Sequence, residues 1–345
     1  MGRNFRIGFC GDLTTGENYQ IKADLEQRVN ILRQYGYDFL FSKIDAILKR
    51  FDMNISNLET PLTSSLSSTL LGKKTVLHWA DENIVPKLLK RYNIQVVSLG
   101  NNHAMDYDKQ GLIDTRKALG AENISYFGAG LNLKEASEFY KKTIEINDKK
   151  INLYMIGGYK YKDEYEKFGF YAKEDKEGVF CLNEENGRKV IAKIREQDKE
   201  AVIVAFPHFG FDLMKNTTLQ KDYAHAFIDA GADYVIGHGP HMMNSYEKYK
   251  GKTILYGIGN FIFPANFRGK TIPYNMIAEL NFIEKEGKIN TELFVYPTYM
   301  DNQSYSPITR PILETELSEF LEFFTEISKE NLKTEIVDNL IRIAV

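Results

Sequence analysis

Cysteine, tryptophan and an excess of charge of either sign are what this sequence has least of. Its 345 residues include two cysteines and one tryptophan, and the formal net charge is −3. Cys10 lies in an apolar strand-like run and Cys181 beside Phe180, so both are predicted to be small buried side chains and not part of a disulfide framework. A charge so close to zero gives no indication of a nucleic-acid partner or of an anionic membrane surface.

Long apolar runs are also missing. The N-terminal sequence MGRNFRIGFCGD has no apolar core of the kind that signal peptides need, and no later run approaches the roughly 20 apolar residues that span a bilayer. Hydrophobic residues make up 43% and charged residues 26% of the chain, as in an ordinary globular protein. We therefore expect no membrane segment and a cytoplasmic location.

The sequence does contain a regular alternation of short apolar runs and amphipathic stretches. The apolar runs are rich in Val, Ile, Phe and Tyr, which predicts strands at 6–10, 53–56, 94–98, 151–156, 201–206, 233–236 and 253–258. Helices are predicted between them, at about 22–35, 38–50, 84–92, 109–119, 186–197 and 218–230. This alternation is typical of an α/β fold with a largely parallel sheet and helices on the outside.

The pattern changes after residue 263. Apolar and polar residues alternate over 275–282 and a further strand follows near 291–296, which indicates antiparallel strands. From about 313 the apolar residues follow helical spacing. We therefore predict one domain over 1–312 and a helical extension, packed on that body, over 313–345. The polar, aromatic stretch 157–176 is interpreted as a surface loop, with a flap over a site as the alternative.

Polar side chains capable of chemistry stand where the predicted strands end. They are Asp12, Asn57, Glu59, Asn101, Asn102, His103, Asp106, His208, His238, His241 and Asn260. Four of the six histidines belong to this set. Because the carboxyl ends of the strands in an open α/β sheet form one rim, where ligands bind, we expect these side chains to converge there.

The side-chain types in this set predict a metal site. Carboxylates, imidazoles and a carboxamide suit a divalent first-row ion such as Mn, Fe or Zn. The predicted ligands are Asp12, Glu59, Asn102, His208, His238 and His241. A carboxylate such as Glu59 can bridge two ions about 3.5–4 Å apart, and such a pair turns water into a nucleophile at neutral pH. His103 can then act as general acid, with Asp106 orienting its imidazole.

Several of these residues have a plainer interpretation when they are considered alone. Asp12 follows a glycine and suits a turn or a helix N-cap. The asparagine pair at 101–102 suits a turn, and His241 suits an exposed loop. His225 and His78 stand outside the strand-end pattern, and both are predicted to be packing residues.

Six blocks of the sequence resemble, in order and spacing, the CapA/PgsA-type capsule and poly-γ-glutamate biosynthesis proteins. The blocks are GD at 11–12, NLETPLT at 57–63, SLGNNHAMDYDKQGL at 98–112, PHFG at 207–210, GADYVIGHGPH at 231–241 and LYGIGNFIF at 255–263. The resemblance covers roughly residues 5–300. It implies the calcineurin-like metallophosphatase superfamily, whose fold is a four-layer α/β/β/α sandwich with mixed sheets and whose site holds two metal ions.

The resemblance also implies roles for individual residues. Asp12 matches the first metal aspartate, and Glu59 matches the bridging carboxylate, which is Asp in most metallophosphatases. The GNH block supplies a metal ligand and the catalytic histidine, which match Asn102 and His103. The three remaining metal-ligand matches are His208, His238 and His241.

The sequence departs from the superfamily pattern in three places. Leu13 and Thr14 follow Asp12 where the superfamily has Asp-x-His, so one ligand of the first metal is missing or replaced, with Asn57 as the candidate replacement. Asn260 is a further candidate ligand of the site. Two residues, not one, separate the histidines of the last block, GHGPH. The N-terminal membrane anchor of many capsule-type members is not predicted here.

Three functions are compatible with such a site. One is metal-dependent hydrolysis of a phosphoester, the second is cleavage or transfer at a γ-glutamyl amide, and the third is a non-catalytic accessory role with a polymer-synthesis partner protein. Fold and superfamily do not choose among them. A phosphate-binding enzyme needs Lys or Arg near the rim, and the candidates are Lys73, Lys74 and Arg268. We predict a hydrolase that acts on a small-molecule or polymer substrate and is linked to capsule or poly-γ-glutamate metabolism.

Overall fold

Two β-sheets lie face to face in this protein. The computed structural model describes residues 4–265, 272–302, 308–328, 333–337 and 340–345. Within these residues one sheet has ten strands, the second has six, and a third has two. The strand-helix alternation of the sequence is therefore divided between two large sheets.

The bounds of the elements are as follows. The strands are β1 (Phe5–Leu13), β2 (Met53–Leu58), β3 (Ile94–Ser98), β4 (Ser125–Phe127), β5 (Ala129–Gly130), β6 (Tyr140–Ile146), β7 (Lys149–Tyr159), β8 (Gly178–Val179), β9 (Val202–His208), β10 (Tyr234–Ile236), β11 (Tyr246–Tyr249), β12 (Lys252–Leu255), β13 (Asn260–Ile262), β14 (Tyr274–Lys285), β15 (Lys288–Tyr299), β16 (Arg310–Pro311), β17 (Lys333–Val337) and β18 (Leu340–Ala344). The α-helices are α1 (Glu17–Leu25), α2 (Ile31–Tyr35), α3 (Asp45–Leu48), α4 (Val85–Arg91), α5 (Asp108–Ala121), α6 (Leu133–Ala136), α7 (Asp163–Lys167), α8 (Glu184–Gln197), α9 (Thr218–Asp229) and α10 (Leu317–Ser328). Short 3-10 helices occupy Tyr37–Phe41 and Glu314–Glu316.

The ten-stranded sheet combines a parallel half with an antiparallel half. Its order is β17-β18-β15-β14-β1-β2-β3-β4, with β13 beside β1 and β16 beside β15. Strands β1 to β4 and β13 run parallel. Strands β14 and β15 form a hairpin whose two turn residues, Glu286 and Gly287, both have positive φ, as the tight turns that match strand twist require.

The six-stranded sheet is parallel at its centre. Its order is β11-β12-β10-β9-β7-β6, and the four strands from β12 to β7 run parallel. Helices α8 and α9 connect β7 to β9 and β9 to β10, which is the connection that parallel neighbours need.

The apolar residues form three layers of core, which define four layers of structure. Alternate residues of a strand point to opposite faces, so Phe9 lies in the core between the two sheets and Cys10 in the core under the helices that cover the ten-stranded sheet. Likewise Met155 lies between the sheets and Ile156 packs under α8 and α9. The predicted α/β class and the four-layer α/β/β/α arrangement with mixed sheets are confirmed.

The strands and two of the helices are arranged differently from what the sequence predicts. All seven predicted strand segments contain a strand, but they do not share one rim, because three belong to the ten-stranded sheet and four to the other. The helix predicted at 22–35 is broken into α1 and α2, and the one at 38–50 into a 3-10 turn and α3. Apolar periodicity reports which residues are buried but not which sheet buries them.

The tail also differs from the helical extension expected over 313–345. Helix α10 ends at Ser328, and β17 and β18 follow, with β18 paired to β15 at the edge of the ten-stranded sheet. Ile341 and Ile343 alternate with Arg342, so every second residue of β18 is buried. Phe320 and Phe324 of α10 lie in the core between the sheets, so this helix packs against the rest of the described structure.

Helices long enough to cross a membrane are not found among the described residues. The longest helices, α5 and α8, have 14 residues each. No described helix combines the length and the apolar composition that a bilayer demands.

Candidate metal centre and active site

Strand register in the ten-stranded sheet brings three predicted site residues into one row. Asp12 lies in β1, directly opposite Asn57 of β2 on one side and Asn260 of β13 on the other. All three side chains are buried. Because β1 continues through Asp12, the alternative interpretation of this residue as a helix N-cap is wrong.

The six-stranded sheet supplies the histidines. His208 is the last residue of β9 and forms a parallel bridge with His238, which follows β10. His241 adopts a left-handed backbone with φ of 58°, a strained conformation that is concentrated at functional sites. Gly239 lies so close to the His208 ring that a Cβ atom would stand 2.8 Å from it, and its φ is +105°. A side chain at position 239 would displace a candidate ligand.

Asp12 lies at the centre of the histidines. Its Oδ1 atom is 3.2 Å from Nδ1 of His238 and 3.8 Å from Nδ1 of His208. Its Oδ2 atom is 3.4 Å from Nδ1 of His241 and accepts a hydrogen bond from the backbone of Gly239. Two groups of potential metal ligands share this carboxylate, Asp12 with His208 and His238, and Asp12 with Glu59 and His241.

Glu59 is a fully buried carboxylate that lacks a hydrogen-bond donor. Within the described part of the chain neither of its oxygens has a hydrogen-bond partner. Oε1 lies 3.7 Å from Nε2 of His241 and 3.9 Å from Nε2 of both His208 and His103. The Oδ1 atom of Asn102 is also buried and without a partner in the same described residues. Unsatisfied buried oxygens are costly, and a cation is the partner that such oxygens and imidazoles fit.

The outer hydrogen bonds of two histidines orient their rings, so that one ring nitrogen of each faces the carboxylates. Nε2 of His238 lies 3.3 Å from the carbonyl oxygen of Phe206, and its Nδ1 atom faces the cluster, 3.2 Å from Oδ1 of Asp12. Nδ1 of His241 lies 2.9 Å from Oδ1 of Asn260, and its Nε2 atom lies 3.7 Å from Oε1 of Glu59. Metal-ligating histidines are commonly fixed by such outer bonds.

The pKa shifts describe a site that concentrates negative charge. Burial, reinforced by the charge of Asp12, raises the pKa of Glu59 well above its ordinary value. Burial acts against ionisation of Asp12 too, but hydrogen bonds from His238 and His241 outweigh it and hold the pKa of Asp12 well below its usual range. Burial would lower the pKa of His241, yet Glu59 and Asp12 together raise it to about 10. The two acidic side chains thus favour a positive charge beside them.

His103 also lies near Glu59, and it has an orienting group of its own. Its Nδ1 atom is 2.5 Å from Oδ2 of Asp106, and its Nε2 atom faces Glu59. Lys74 donates to Oδ1 of Asp106 at 2.6 Å and to the carbonyl oxygen of Asn102 at 2.6 Å. Burial, followed by the nearby Lys74 ammonium, lowers the pKa of His103 well below its ordinary value.

A cavity of about 380 Å³ opens beside this histidine. Its lining includes Tyr19, Lys74, His103, Tyr165, Asp212 and His241. Tyr165 belongs to α7, in the stretch 157–176, and it hydrogen-bonds the Asn102 side chain. The interpretation of this stretch as a surface loop is therefore wrong, because its aromatic residues form a wall of the cavity.

The structure brings together every residue that the sequence selected for the site, but two of them make different contacts from those expected. Asn57 directs Nδ2 to Oδ1 of Asp12 at 2.8 Å, while its own Oδ1 accepts from Asn101, so it braces the carboxylate. Asn260 braces His241 by accepting, through Oδ1, a hydrogen bond from Nδ1 of that histidine at 2.9 Å. His225 lies elsewhere, on α9, where it stacks on Tyr249.

The sequence did not locate several residues that the structure adds to the site. Tyr19, His78 and Asp212 lie in the cavity wall. Asn302, which lies outside all six motif blocks, accepts a hydrogen bond from Asn260. Lys73 and Lys74 were candidates for phosphate binding that the sequence could not place in the fold, and both line the cavity. Arg268, the third candidate for phosphate binding, lies outside the described residues. No local pattern marks these residues as part of a site: Tyr19 lies in α1, and Lys73, Lys74, His78 and Asp212 lie in loops.

Comparison with known proteins identifies relatives of the chain. Residues 6–265 match the family described as bacterial capsule synthesis protein PGA_cap. The PGA biosynthesis protein CapA of Bacillus subtilis is 32% identical over 258 residues, which cover 74% of this chain and 62% of that protein. The capsule biosynthesis protein CapA of Bacillus anthracis is 31% identical, covering 68% of this chain and 56% of that protein. A probable polyglutamine synthesis accessory protein of Mycobacterium tuberculosis is 30% identical, covering 61% and 55%.

The matches cover only part of the length of these relatives. The matched region spans between 55% and 62% of the length of the three curated relatives. Among solved structures, the calcineurin-like phosphoesterase YfkN from Bacillus subtilis aligns over 94% of this chain and 98% of that one, with 11% identity and a TM-score of 0.44. The family match covers most of the sequence and contains the strand ends described above, from Asp12 to Asn260. The chain belongs to the bacterial capsule synthesis protein family PGA_cap.

Proposed function

We propose that this protein is a metal-dependent hydrolase, phosphoesterase-like in its chemistry, that acts in capsule or poly-γ-glutamate metabolism. The observation that carries the proposal is Glu59, a fully buried carboxylate that has no hydrogen-bond donor among the described residues. Imidazoles surround it, and one of them, His103, has a carboxylate partner of its own. A purely structural metal site needs ligands, but it does not need a histidine oriented by a second carboxylate.

Two divalent ions, drawn from Mn, Fe and Zn, suit the donor set. The two ligand groups share Asp12 and between them use Glu59 and three histidines, and Asn102 adds a buried amide oxygen. When bound, such ions supply Lewis-acid chemistry, since they polarise an ester oxygen and lower the pKa of water. Asp12, as the carboxylate common to both groups, is the better candidate than Glu59 for joining two ions, which modifies the role taken from the resemblance.

His103 is the proton donor of the proposed reaction. Its Nδ1–H donates to Asp106, which fixes the tautomer and leaves Nε2 directed at the ligand cluster. Because Nδ1 already carries a proton, His103 acts as the acid from its doubly protonated form, whose Nε2 proton passes to the leaving-group oxygen as the ester bond breaks. Lys74 neutralises Asp106, because its ammonium donates to that carboxylate and is almost fully enclosed.

The charges around the cavity favour a substrate of low negative charge. Glu164 and Asp212 line the cavity, whereas the Lys74 ammonium is already bound to Asp106 and Asn102. A phosphomonoester dianion would be repelled by these carboxylates more strongly than a phosphodiester, which carries one negative charge. We therefore expect diesters to be cleaved faster than monoesters.

Cleavage or transfer at a γ-glutamyl amide is the second candidate. An amide bond is uncharged, so it suits the acidic cavity, and the relatives include proteins named for PGA biosynthesis and polyglutamine synthesis. The same proton donor would serve a leaving amine. A non-catalytic role beside a polymer-synthesis partner protein is the third candidate, and it does not require His103.

A metal analysis followed by a substrate panel tests the proposal. The purified protein should retain Mn, Fe or Zn, and with the retained metal it should hydrolyse bis(p-nitrophenyl) phosphate faster than p-nitrophenyl phosphate. γ-Glutamyl peptides in the same panel test the second candidate. Metal-loaded protein that cleaves none of these substrates would contradict the hydrolase proposal and favour the accessory role.

The wall formed by α7 should govern substrate binding. Replacing Tyr165 by Ala removes an aromatic ring that packs against Tyr159 and Phe170 and lines the cavity. We expect KM to rise about 10-fold, equivalent to roughly 1.4 kcal/mol of lost binding, with a smaller change in kcat. The matched control is Tyr161→Ala, in the same stretch but 42% exposed, which should leave both constants unchanged. Equal effects of the two changes would refute the assignment of Tyr165.

A further inference from the structure

His78 makes more contacts with the proposed catalytic groups than any packing role requires. We infer that His78 is a positioning residue that holds the plane of the His103 imidazole and couples it to the backbone of Glu59; this inference rests on the proposed function. His78 belongs to neither ligand group and lies in a loop between the second and third strands of the ten-stranded sheet. Its side chain is 1% exposed.

The two imidazoles are stacked face to face. The ring centroids of His78 and His103 are 3.7 Å apart and the planes differ by 6°. One face of the His103 ring is thereby covered, and its edge is tied to Asp106 through Nδ1. With a face and an edge fixed, the direction of Nε2 toward Glu59 is fixed as well.

The ring of His78 is itself held by two hydrogen bonds whose directions can be assigned. Nδ1 lies 2.8 Å from the carbonyl oxygen of Glu59, which only accepts, so Nδ1 carries the proton. In the neutral ring Nε2 must then accept, and the hydroxyl of Tyr19, 3.0 Å away, is the donor. Burial, and next the neighbouring His103, lower the pKa of His78 well below its ordinary value, in keeping with a neutral ring.

The backbone of His78 contacts Asp106, the carboxylate that orients His103. The backbone N–H of His78 donates to Oδ2 of Asp106 at 2.6 Å, the same oxygen that binds His103. One residue therefore contacts His103 through its ring face, Glu59 through Nδ1 and Asp106 through its backbone. The effectiveness of a general acid depends on such fixed geometry, because small misplacements of the reacting groups are costly.

Side-chain replacements separate these contacts. His78→Asn removes the stacked ring, His78→Phe keeps a ring but removes both ring hydrogen bonds, and Tyr19→Phe removes only the donated hydroxyl. We expect kcat for a phosphodiester to fall about 10- to 100-fold in His78→Asn, with KM and metal content unchanged. His225→Asn is the matched control, because His225 is also stacked on a ring, at 3.8 Å and 4°, but on Tyr249 away from the site. It should leave kcat unchanged.

Two further measurements exclude a merely structural effect. The loss in His78→Asn should be larger for an alkyl leaving group than for p-nitrophenolate, because a poor leaving group needs the proton more. In a His103→Asn background, His78→Asn should cause no additional loss, since it acts through His103. An equal loss with both leaving groups, or a full further loss in the double variant, would overturn the inference.

Imidazole NMR on the metal-free protein tests the same arrangement without activity. The ring protons of His103 should be shifted upfield by the His78 ring, move downfield in His78→Asn, and stay near their place in His78→Phe. If His103 resonances do not respond to His78→Asn, the inference fails even if the hydrolase is real. If they respond but the wild-type protein cleaves nothing, the hydrolase proposal fails and the stacking geometry stands.

A second variant covers the case in which His78→Asn does not fold. Tyr19→Phe should still change the ¹⁵N chemical shifts of the His78 ring, and unchanged shifts would refute the assigned hydrogen bonds.

Discussion

Replacing His103 by Asn should lower kcat for a phosphodiester by about 10²–10⁴-fold while the metal content of the protein stays unchanged. The reason is that His103 lies beside the ligand cluster but belongs to neither ligand group, and its Nδ1 is occupied by Asp106. The change therefore removes a proton donor and leaves the donors for metal in place. The measurement is steady-state kinetics with elemental analysis of the same sample.

The comparison variants sharpen this result. Asp106→Asn should produce a smaller loss than His103→Asn, because the imidazole remains and only its orientation and tautomer are perturbed. His225→Asn should have no effect on turnover or on metal content. If His103→Asn instead releases metal together with activity, then His103 is a ligand and the assignment of the proton donor is wrong.

Replacing Glu59 by Gln should have two effects of opposite sign. The affinity for divalent metal should fall by at least about 100-fold, because a charged donor in a buried site is replaced by a neutral amide. The metal-free protein should become more stable at neutral pH, by about 1–3 kcal/mol of unfolding free energy, because a buried charge without a donor is removed. Added Mn²⁺ should raise the melting temperature of the wild-type protein but not of the variant.

The pH dependence of this stabilisation follows from the direction of the pKa shift. The folded-state pKa of Glu59 is raised above its unfolded value, so the folded protein holds this proton more tightly than the unfolded chain does. The contribution to stability is complete below the unfolded pKa of about 4.3 and is lost as pH rises through the folded pKa. The gain in Glu59→Gln should thus be small at pH 4 and grow toward neutral pH, as measured by urea unfolding of metal-free samples.

Glu279→Gln provides a control with the same chemistry and the opposite expectation. Glu279 is also fully buried, but it accepts a hydrogen bond from Tyr296 at 2.8 Å and pairs with Arg342 at 3.3 Å. Neutralising it should destabilise the protein, since a compensated charge is lost and Arg342 is left without that partner. If Glu59→Gln and Glu279→Gln both destabilise the metal-free protein, Glu59 has a donor that the geometry does not reveal.

The residues of the metal cluster could be predicted because strand ends are a local feature of the sequence. Asp12, Glu59, His208 and His238 each follow an apolar run, and the end of a buried strand is where a polar side chain can enter a site. The side-chain types of these residues predict a divalent metal, and the order and spacing of the blocks that contain them produce the resemblance to the family. The expected convergence is present, although it comes from two sheet ends that face each other and not from one rim.

The contacts that control the catalytic histidine could not be predicted in this way. Lys74, His78 and Tyr165 lie in connections whose sequence has no periodicity, and they reach the site only because the chain folds back over it. Asn260, which the sequence offered as a ligand, braces His241 instead, and only the direction of its amide distinguishes these roles. Likewise the tail was expected to be helical throughout, but the pairing of β18 with β15 decided its second half.

The sequence by itself therefore determined which side chains are available for chemistry, the α/β alternation that carries them and the family to which the chain belongs. The tertiary structure decided which oxygens remain without donors, which ring nitrogens face inward and which sheet each strand joins. The physical reason is that burial and composition are properties of short segments, whereas hydrogen-bond direction and electrostatic coupling depend on atoms a few ångströms apart in space but, as with Asp12 and Gly239, more than 200 residues apart in the chain.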